Sequence, residues 1–355
     1  MKVKWPKKWT RRSLLVLPIC LAGVLSIIAT SPPGPIVQQI SKPYVLAYVD
    51  TNWRLRIRWS DDGETWMTAS AATPTIDRSP GIAANPAGLV YLAIFDDTVS
   101  DARFIMGIGP ASWDSTTLLV GNGHRPEIQS GTSIAYLNAP HWLVAYRHQN
   151  SAKVVTFNDS NNVRDFGPEI TPVPGTVNLN VTDKPAIANM GGRVLVSWLM
   201  NNQLQMTSGT VQGNTVNWDT GYLFNATVTA SGFGPPIGAH DLATDGTNFY
   251  LAVVRQRDPR PGEQLQRHFL HIYTSPNGLN WSLLNNDQEV RVPQSLGLAA
   301  RATNDLMAIV SFQATQVQPA LVYLFDGAWT DIPNADVFGT NPINAGHDFT
   351  LYARD

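Results

Sequence analysis

Six apolar runs recur along the chain at intervals of about forty-five to fifty-seven residues: YVLAYVD (44–50), LVYLAIFDD (89–97), WLVAYRHQ (142–149), VLVSWLMNN (194–202), FYLAVVRQRD (249–258) and LMAIVSFQ (306–313). Short β-rich runs at that period match the four-stranded blades of a β-propeller. A shorter stretch precedes five of them: RSPGIAA, HRPEIQS, DKPAIAN, AHDLATD and LGLAARA. A second strand follows each: RLRIRWS, RFIMGIG, KVVTFND, LQMTSGT, HFLHIYTS and LVYLFDG. The first unit lacks its leading strand, whereas AGHDFTLYARD at 345–355 resembles the leading AHDLATD of the fifth. The expectation is an all-β, six-bladed propeller whose C-terminal strand completes the first blade and closes the ring. A two-sheet sandwich is the alternative, and the six-fold period and displaced last strand argue against it.

Of the 355 residues 43% are hydrophobic, enough for a sizeable core. Lys2, Lys4, Lys7, Lys8, Arg11 and Arg12 precede any acidic residue and lead into SLLVLPICLAGVLSIIA, residues 13–29. That pattern reads as an export signal or an uncleaved N-terminal anchor over residues 1–31. A Pro-rich linker (32–43) and one domain (44–355) follow. Membrane contact is expected only through 13–29, if that segment is retained. With those six cations set aside, 19 Lys and Arg face 27 Asp and Glu, a net −8. An acidic body excludes non-specific nucleic-acid binding. The sole cysteine, Cys20, lies in the apolar run, so the domain is free of disulfides. No phosphate-cradling loop or nucleotide fingerprint is present, and no cofactor or metal is expected.

Two stretches repeat a turn: Ser60-Asp61-Asp62-Gly63-Glu64-Thr65-Trp66 and Ser275-Pro276-Asn277-Gly278-Leu279-Asn280-Trp281. Asp-Gly and Asn-Gly are strong signals for a type I′ hairpin, and the Trp of each is expected to pack between sheets. Both stretches resemble the Asp-box, or BNR repeat, of sialidase-like β-propellers, Ser-x-Asp-x-Gly-x-Thr-Trp, with one residue fewer before Trp. The resemblance implies that Ser60, Asp62, Gly63, Trp66, Ser275, Asn277, Gly278 and Trp281 are structural and lie away from an active face. The family's first arginine motif has no counterpart here, and its other catalytic residues are not placed by motif.

In a propeller, the starts of the innermost strands meet around the central channel, the default ligand site. That face is expected to gather His124, Arg125, Glu127, Asp183, Lys184, His240, Asp241, His347 and Asp348, with Arg147, His148, Trp198, Arg255 and Arg257 from adjoining loops. Arg125, Arg147 and Arg255 are candidates for an anion clamp, because guanidinium forks fit carboxylates. Trp53 and Trp198 are candidates for stacking on sugars. A glycosidase needs two suitably spaced carboxyl groups, and Asp241, Asp348 and Glu127 are the candidates. The leading expectation is an exported glycan- or ligand-binding module. A sialidase-like glycoside hydrolase is the alternative, and a protein-interaction scaffold the third reading.

Overall fold

The computed structural model describes residues 42–355 except 77, 79, 97–101, 116–117, 120–130, 149–150, 161–162, 171, 173–183, 201–202, 220–223, 226–232, 260, 262–264, 313–319, 344–348 and 354–355. Lys42–Asp355 form one compact unit. The chain's first run becomes β1 (Tyr44–Val49), followed by β2 (Leu55–Ser60) and β3 (Met67–Thr68). The second blade holds β4 (Gly81–Ala84), β5 (Tyr91–Asp96), β6 (Ala102–Gly107) and β7 (Leu118–Leu119). The third holds β8 (Ser133–Asn138), β9 (His141–His148), β10 (Ser151–Ser160) and β11 (Val163–Phe166). The fourth holds β12 (Ala186–Met190), β13 (Arg193–Met200), β14 (Gln203–Gln212) and β15 (Thr215–Trp218), with β16 (Phe224–Asn225) also beside β14. The fifth holds β17 (Phe233–Thr244), β18 (Phe249–Arg257), β19 (Arg267–Ser275) and β20 (Ser282–Val290). The sixth holds β21 (Ser295–Ala302), β22 (Asp305–Ser311), β23 (Ala320–Phe325) and β24 (Trp329–Ile332), then the short helix α1 (Asn334–Phe338).

The last strand, β25 (Thr350–Ala353), pairs antiparallel with β1, Tyr44 opposite Ala353 and Ala47 opposite Thr350. This gives the first blade the order β25-β1-β2-β3 and makes six antiparallel sheets, a six-bladed propeller. Blade 6 is tied to blade 1 where the domain begins. The Tyr44 hydroxyl donates to Asp305 (2.5 Å), and the Arg301 guanidinium stacks 4.3 Å from the Tyr44 ring.

Each blade buries both faces against its neighbours, so the core is six apolar layers rather than one. On β1, Val45, Ala47 and Val49 pack toward blade 2, while Tyr44, Leu46 and Tyr48 pack toward blade 6. All six are at most 1% exposed. A strand covered on both faces has no polar side, which is why these runs are continuously apolar rather than alternating.

The two repeated turns are wider than the expected type I′ hairpin. Only their glycines have positive φ (Gly63 86°, Gly278 74°), and six residues separate β2 from β3. Side chains replace the tight turn's geometry. Ser60 Oγ accepts the Gly63 N–H (2.8 Å), and Asp62 Oδ1 accepts those of Glu64 (2.8 Å) and Thr65 (2.7 Å). In the second copy Ser275 Oγ accepts the Gly278 N–H (2.9 Å), and Asn277 Oδ1 accepts those of Leu279 (2.9 Å) and Asn280 (3.1 Å). Trp66 is buried in the layer between blades 1 and 6, and Trp281 packs on the layer between blades 4 and 5. Both glycines press on the preceding blade: a Cβ at Gly63 would lie 3.0 Å from Leu324 and Met307, and one at Gly278 2.7 Å from Leu195. The turns therefore join blade 1 to blade 6 and blade 5 to blade 4.

Candidate functional site

The innermost strands carry a common tripeptide: Gly81-Ile82-Ala83, Ser133-Ile134-Ala135, Ala186-Ile187-Ala188, Asp241-Leu242-Ala243, Gly297-Leu298-Ala299 and Thr350-Leu351-Tyr352. The first residue of each faces the next blade, opposite a second-strand residue that packs the same way: Ile94, Ala145, Ser197, Ala252, Ile309 and Ala47. Blades 1, 3 and 5 place a polar side chain there, and each reaches the following inner strand or the loop before it. Thr350 Oγ1 donates to the Pro80 carbonyl (2.7 Å), Ser133 Oγ accepts the Ile187 N–H (3.2 Å), and Asp241 Oδ2 accepts the Leu298 N–H (2.9 Å). Blades 2, 4 and 6 place Gly81, Ala186 and Gly297. A Cβ at Gly81 would lie 2.7 Å from Ile134 and Thr132, and one at Gly297 2.6 Å from Phe349.

Lys184 crosses the ring just before β12. Its ammonium, on a residue only 3% exposed, donates to the Phe349 carbonyl (2.9 Å) and lies 3.4 Å from Thr350 Oγ1, in the opposite blade. Asp241 is buried beside this crossing, and its Oδ1 accepts its neighbour Leu242's N–H (3.0 Å). Burial pushes the Asp241 carboxyl's pKa up, against the pull of Lys184, the two N–H donors and His240.

Between these latches and the far strand ends runs a cavity of about 290 Å³. All six inner strands line it, from Asp241, Ser133 and Thr350 at one end to Pro86, Gly191, Gly192 and Thr244 toward the other. Each inner strand pairs with one neighbour only, so the channel is walled by open strand edges bearing backbone N–H and C=O groups. Apolar side chains (Ile82, Ile187, Leu242, Leu298, Leu351) alternate with Ser133, Tyr136, Asn189 and Thr244. Asn189 Nδ2 donates to the Tyr136 carbonyl (2.8 Å), while its Oδ1 is buried without a hydrogen-bond partner. Among the described lining residues Asp241 holds the one carboxyl group. The cavity thus extends to the end of the blades that carries the Asp62 and Asn277 turns, in addition to the strand starts expected from sequence.

Several expected site residues are placed elsewhere. Trp198 is fully buried, packed with Val194 and Val196 between blades 3 and 4, so it cannot stack on a surface sugar; its strand has no solvent face. Arg147 and Arg255 do not converge. Arg147 pairs with Ala152 on the side of blade 3 facing blade 4, whereas Arg255 extends the Leu251–Val253 row on the side of blade 5 facing blade 4. The fourth sheet stands between them. Arg255 is 3% exposed with its Cζ 5.9 Å from the centre of the Tyr273 ring, and burial lowers its pKa. Arg257 lies over Phe269 (5.1 Å), and His240 is buried toward blade 4. His148 Nδ1 lies 3.2 Å from Glu169, which also accepts the Tyr146 hydroxyl. Glu169 sits in no recognisable motif, so sequence reasoning missed it. His124, Arg125, Glu127, Asp183, His347 and Asp348 lie outside the described residues, as does the apolar segment 13–29. Among the described residues no group of three or more His, Cys, Asp or Glu side chains is placed to hold a metal, and no helix is long and apolar enough to cross a membrane.

Trp53 is 45% exposed in the hairpin between β1 and β2, at the end of blade 1 opposite the Asp62 turn. It is the one non-glycine residue with positive φ among those described (59°), a conformation that costs about 1–2 kcal/mol. The buried Asp50 holds the hairpin: its Oδ1 accepts the Asn52 (2.8 Å) and Arg54 (3.0 Å) N–H groups, and its Oδ2 pairs with Arg56 (2.7 Å). The Trp53 N–H donates to the Asp50 carbonyl (2.9 Å), and its carbonyl accepts the Ile76 N–H (2.9 Å).

No protein-family model matches the sequence, and no curated protein matches it. Solved structures similar to the chain are propellers. The SapL1 lectin in complex with α-methyl fucoside shares 14% identity at a TM-score of 0.46, covering 86% of this chain and 97% of its own. A putative 6-phosphogluconolactonase from Bacteroides fragilis shares 11% at 0.48, covering 90% and 99%. The endo-arabinase from Bacteroides thetaiotaomicron shares 11% at 0.44, covering 70% and 93%. Likenesses this distant carry no argument about activity.

Proposed function

We propose that the protein is a binding module that takes a neutral, hydroxyl-rich ligand, a mono- or disaccharide, in its central channel without turning it over. The supporting observation is the channel itself. Its volume, about 290 Å³, lies near the lower end of small-molecule pockets, roughly 300–1000 Å³. Open strand edges present donors and acceptors that a ring of hydroxyls can meet, Asn189 adds a polar side chain to the wall, and the Ile and Leu side chains suit its C–H faces. Hydrolysis would need two carboxyl groups roughly 5–9.5 Å apart. The described lining offers only Asp241, whose two oxygens already accept backbone N–H groups. The basic and apolar segment 1–31 supports a location outside the cytoplasm, and the repeated Ser-x-Asp/Asn-Gly-x-x-Trp turns support a distant kinship with sialidase-like propellers.

A glycan array followed by calorimetry with the sugar it selects, run beside a panel of fluorogenic glycosides including a sialoside, tests this reading. The expected result is saturable binding with no turnover, weakened at least tenfold by Asn189→Leu while the melting temperature stays close to wild type. Release of fluorophore would establish the hydrolase reading instead. Binding untouched by Asn189→Leu would remove the channel from the account.

A further inference from the structure

We propose that Trp53 is a second saccharide contact, a surface platform on which one ring of an extended neutral polysaccharide stacks. The proposal rests on the glycan reading above but uses a different part of the molecule. A residue this bulky is rarely held in the left-handed backbone region, and such outliers persist where the surrounding structure fixes them and cluster at functional sites. Glycine or asparagine would sit there at lower cost. The hairpin is nonetheless built to keep the conformation: Asp50, itself fully buried, clamps the backbone on both sides, and Ile76 fixes the Trp53 carbonyl from the segment beside β2.

What this support holds out to solvent is an indole among polar neighbours, with Thr51, Asn52 and Arg54 all exposed. An aromatic side chain flanked by polar residues suits the C–H face and the rim hydroxyls of a pyranose, while the Arg54 guanidinium is held by the Thr73 carbonyl (3.1 Å). A protein partner would need about 800 Å² of complementary surface with an apolar centre. The exposed tip is one aromatic residue wide and flanked by polar ones, so we assign it to a sugar.

The test is native gel electrophoresis of the whole protein through gels containing hydroxyethylcellulose, galactomannan or dextran, with wild type, Trp53→Gly, Trp53→Phe and Asn189→Leu side by side. Wild type and Asn189→Leu should be slowed in at least one gel. Trp53→Gly should migrate as in the sugar-free gel, and Trp53→Phe should keep part of the retardation. Trp53→Gly should melt within about 2 °C of wild type, because relief of backbone strain offsets the freer unfolded chain. A drop of several degrees would make Trp53 a packing residue and overturn the proposal. So would retardation that survives Trp53→Gly, or a wild type slowed by none of the polymers. Failure of the channel reading shows separately, as absence of calorimetric heat with the small sugar.

Discussion

Asp62 and Asn277 do the same job in two copies of one turn, one with a carboxylate and one with an amide. Burial opposes ionisation of Asp62, yet the N–H groups of Thr65 and Glu64 and the Ser60 hydroxyl outweigh it and draw the pKa down to about 2. A folded value below the unfolded one of 3.8 means that the ionised form favours folding. The stabilisation is therefore complete above about pH 4 and lost as pH falls through 2. Because the residue is exposed, we expect Asp62→Asn to cost no more than about 1 kcal/mol at pH 7. In calorimetric scans the mutant and wild-type melting temperatures should converge near pH 2. Gly278 and Gly327, the latter in the turn between β23 and β24, allow a sharper comparison. Gly278→Ala meets both a positive φ and Leu195 at 2.7 Å, whereas Gly327→Ala meets a positive φ (78°) with open space around it. Chemical denaturation should show a loss of about 2–4 kcal/mol for the first and about 1 kcal/mol for the second.

Among the elements, the innermost strands make the ring specific. Polar latches on blades 1, 3 and 5 alternate with glycine or alanine on blades 2, 4 and 6, so a side chain added at Gly297 would press into Phe349. Gly297→Ala should destabilise by about 1–3 kcal/mol, and Thr350→Val, which removes the bond to Pro80, by about 1 kcal/mol; urea midpoints check both. The six second strands and the exchange of β25 into blade 1 were legible because a fifty-residue period and one displaced stretch are visible without any geometry. The direction of each side chain was not. A strand covered on both faces carries no alternation, so nothing in VLVSWLMNN says that Trp198 points into a layer, or that Arg147 and Arg255 fall on opposite sides of the fourth sheet. Asp241 was visible as a polar residue expected at a strand start, whereas β17 begins earlier, at Phe233, and carries Asp241 near its far end. Its use as a latch became visible only with Leu298 from the next blade. The Trp53 strain leaves no trace in composition, since TNWR reads as an ordinary turn.

At the scale of the whole molecule, six sheets leave one space that all of them share. Lys184 spans that space between blades 4 and 1, and the cavity beyond it is bordered by unpaired strand edges. Replacing Lys184 by Met removes a buried cation and its bonds to Phe349 and Thr350 together. The mutant should unfold with a lower urea midpoint, and its channel affinity should change less than fivefold, because Asn189 lines the cavity further along. The most direct measurement is a crystal structure of the protein soaked with the small saccharide that the array selects. We expect an intact sugar in the central channel, its hydroxyls meeting the open edges of the inner strands beside Asn189. A cleaved sugar, or an ordered sugar only outside a channel that holds none, would contradict it.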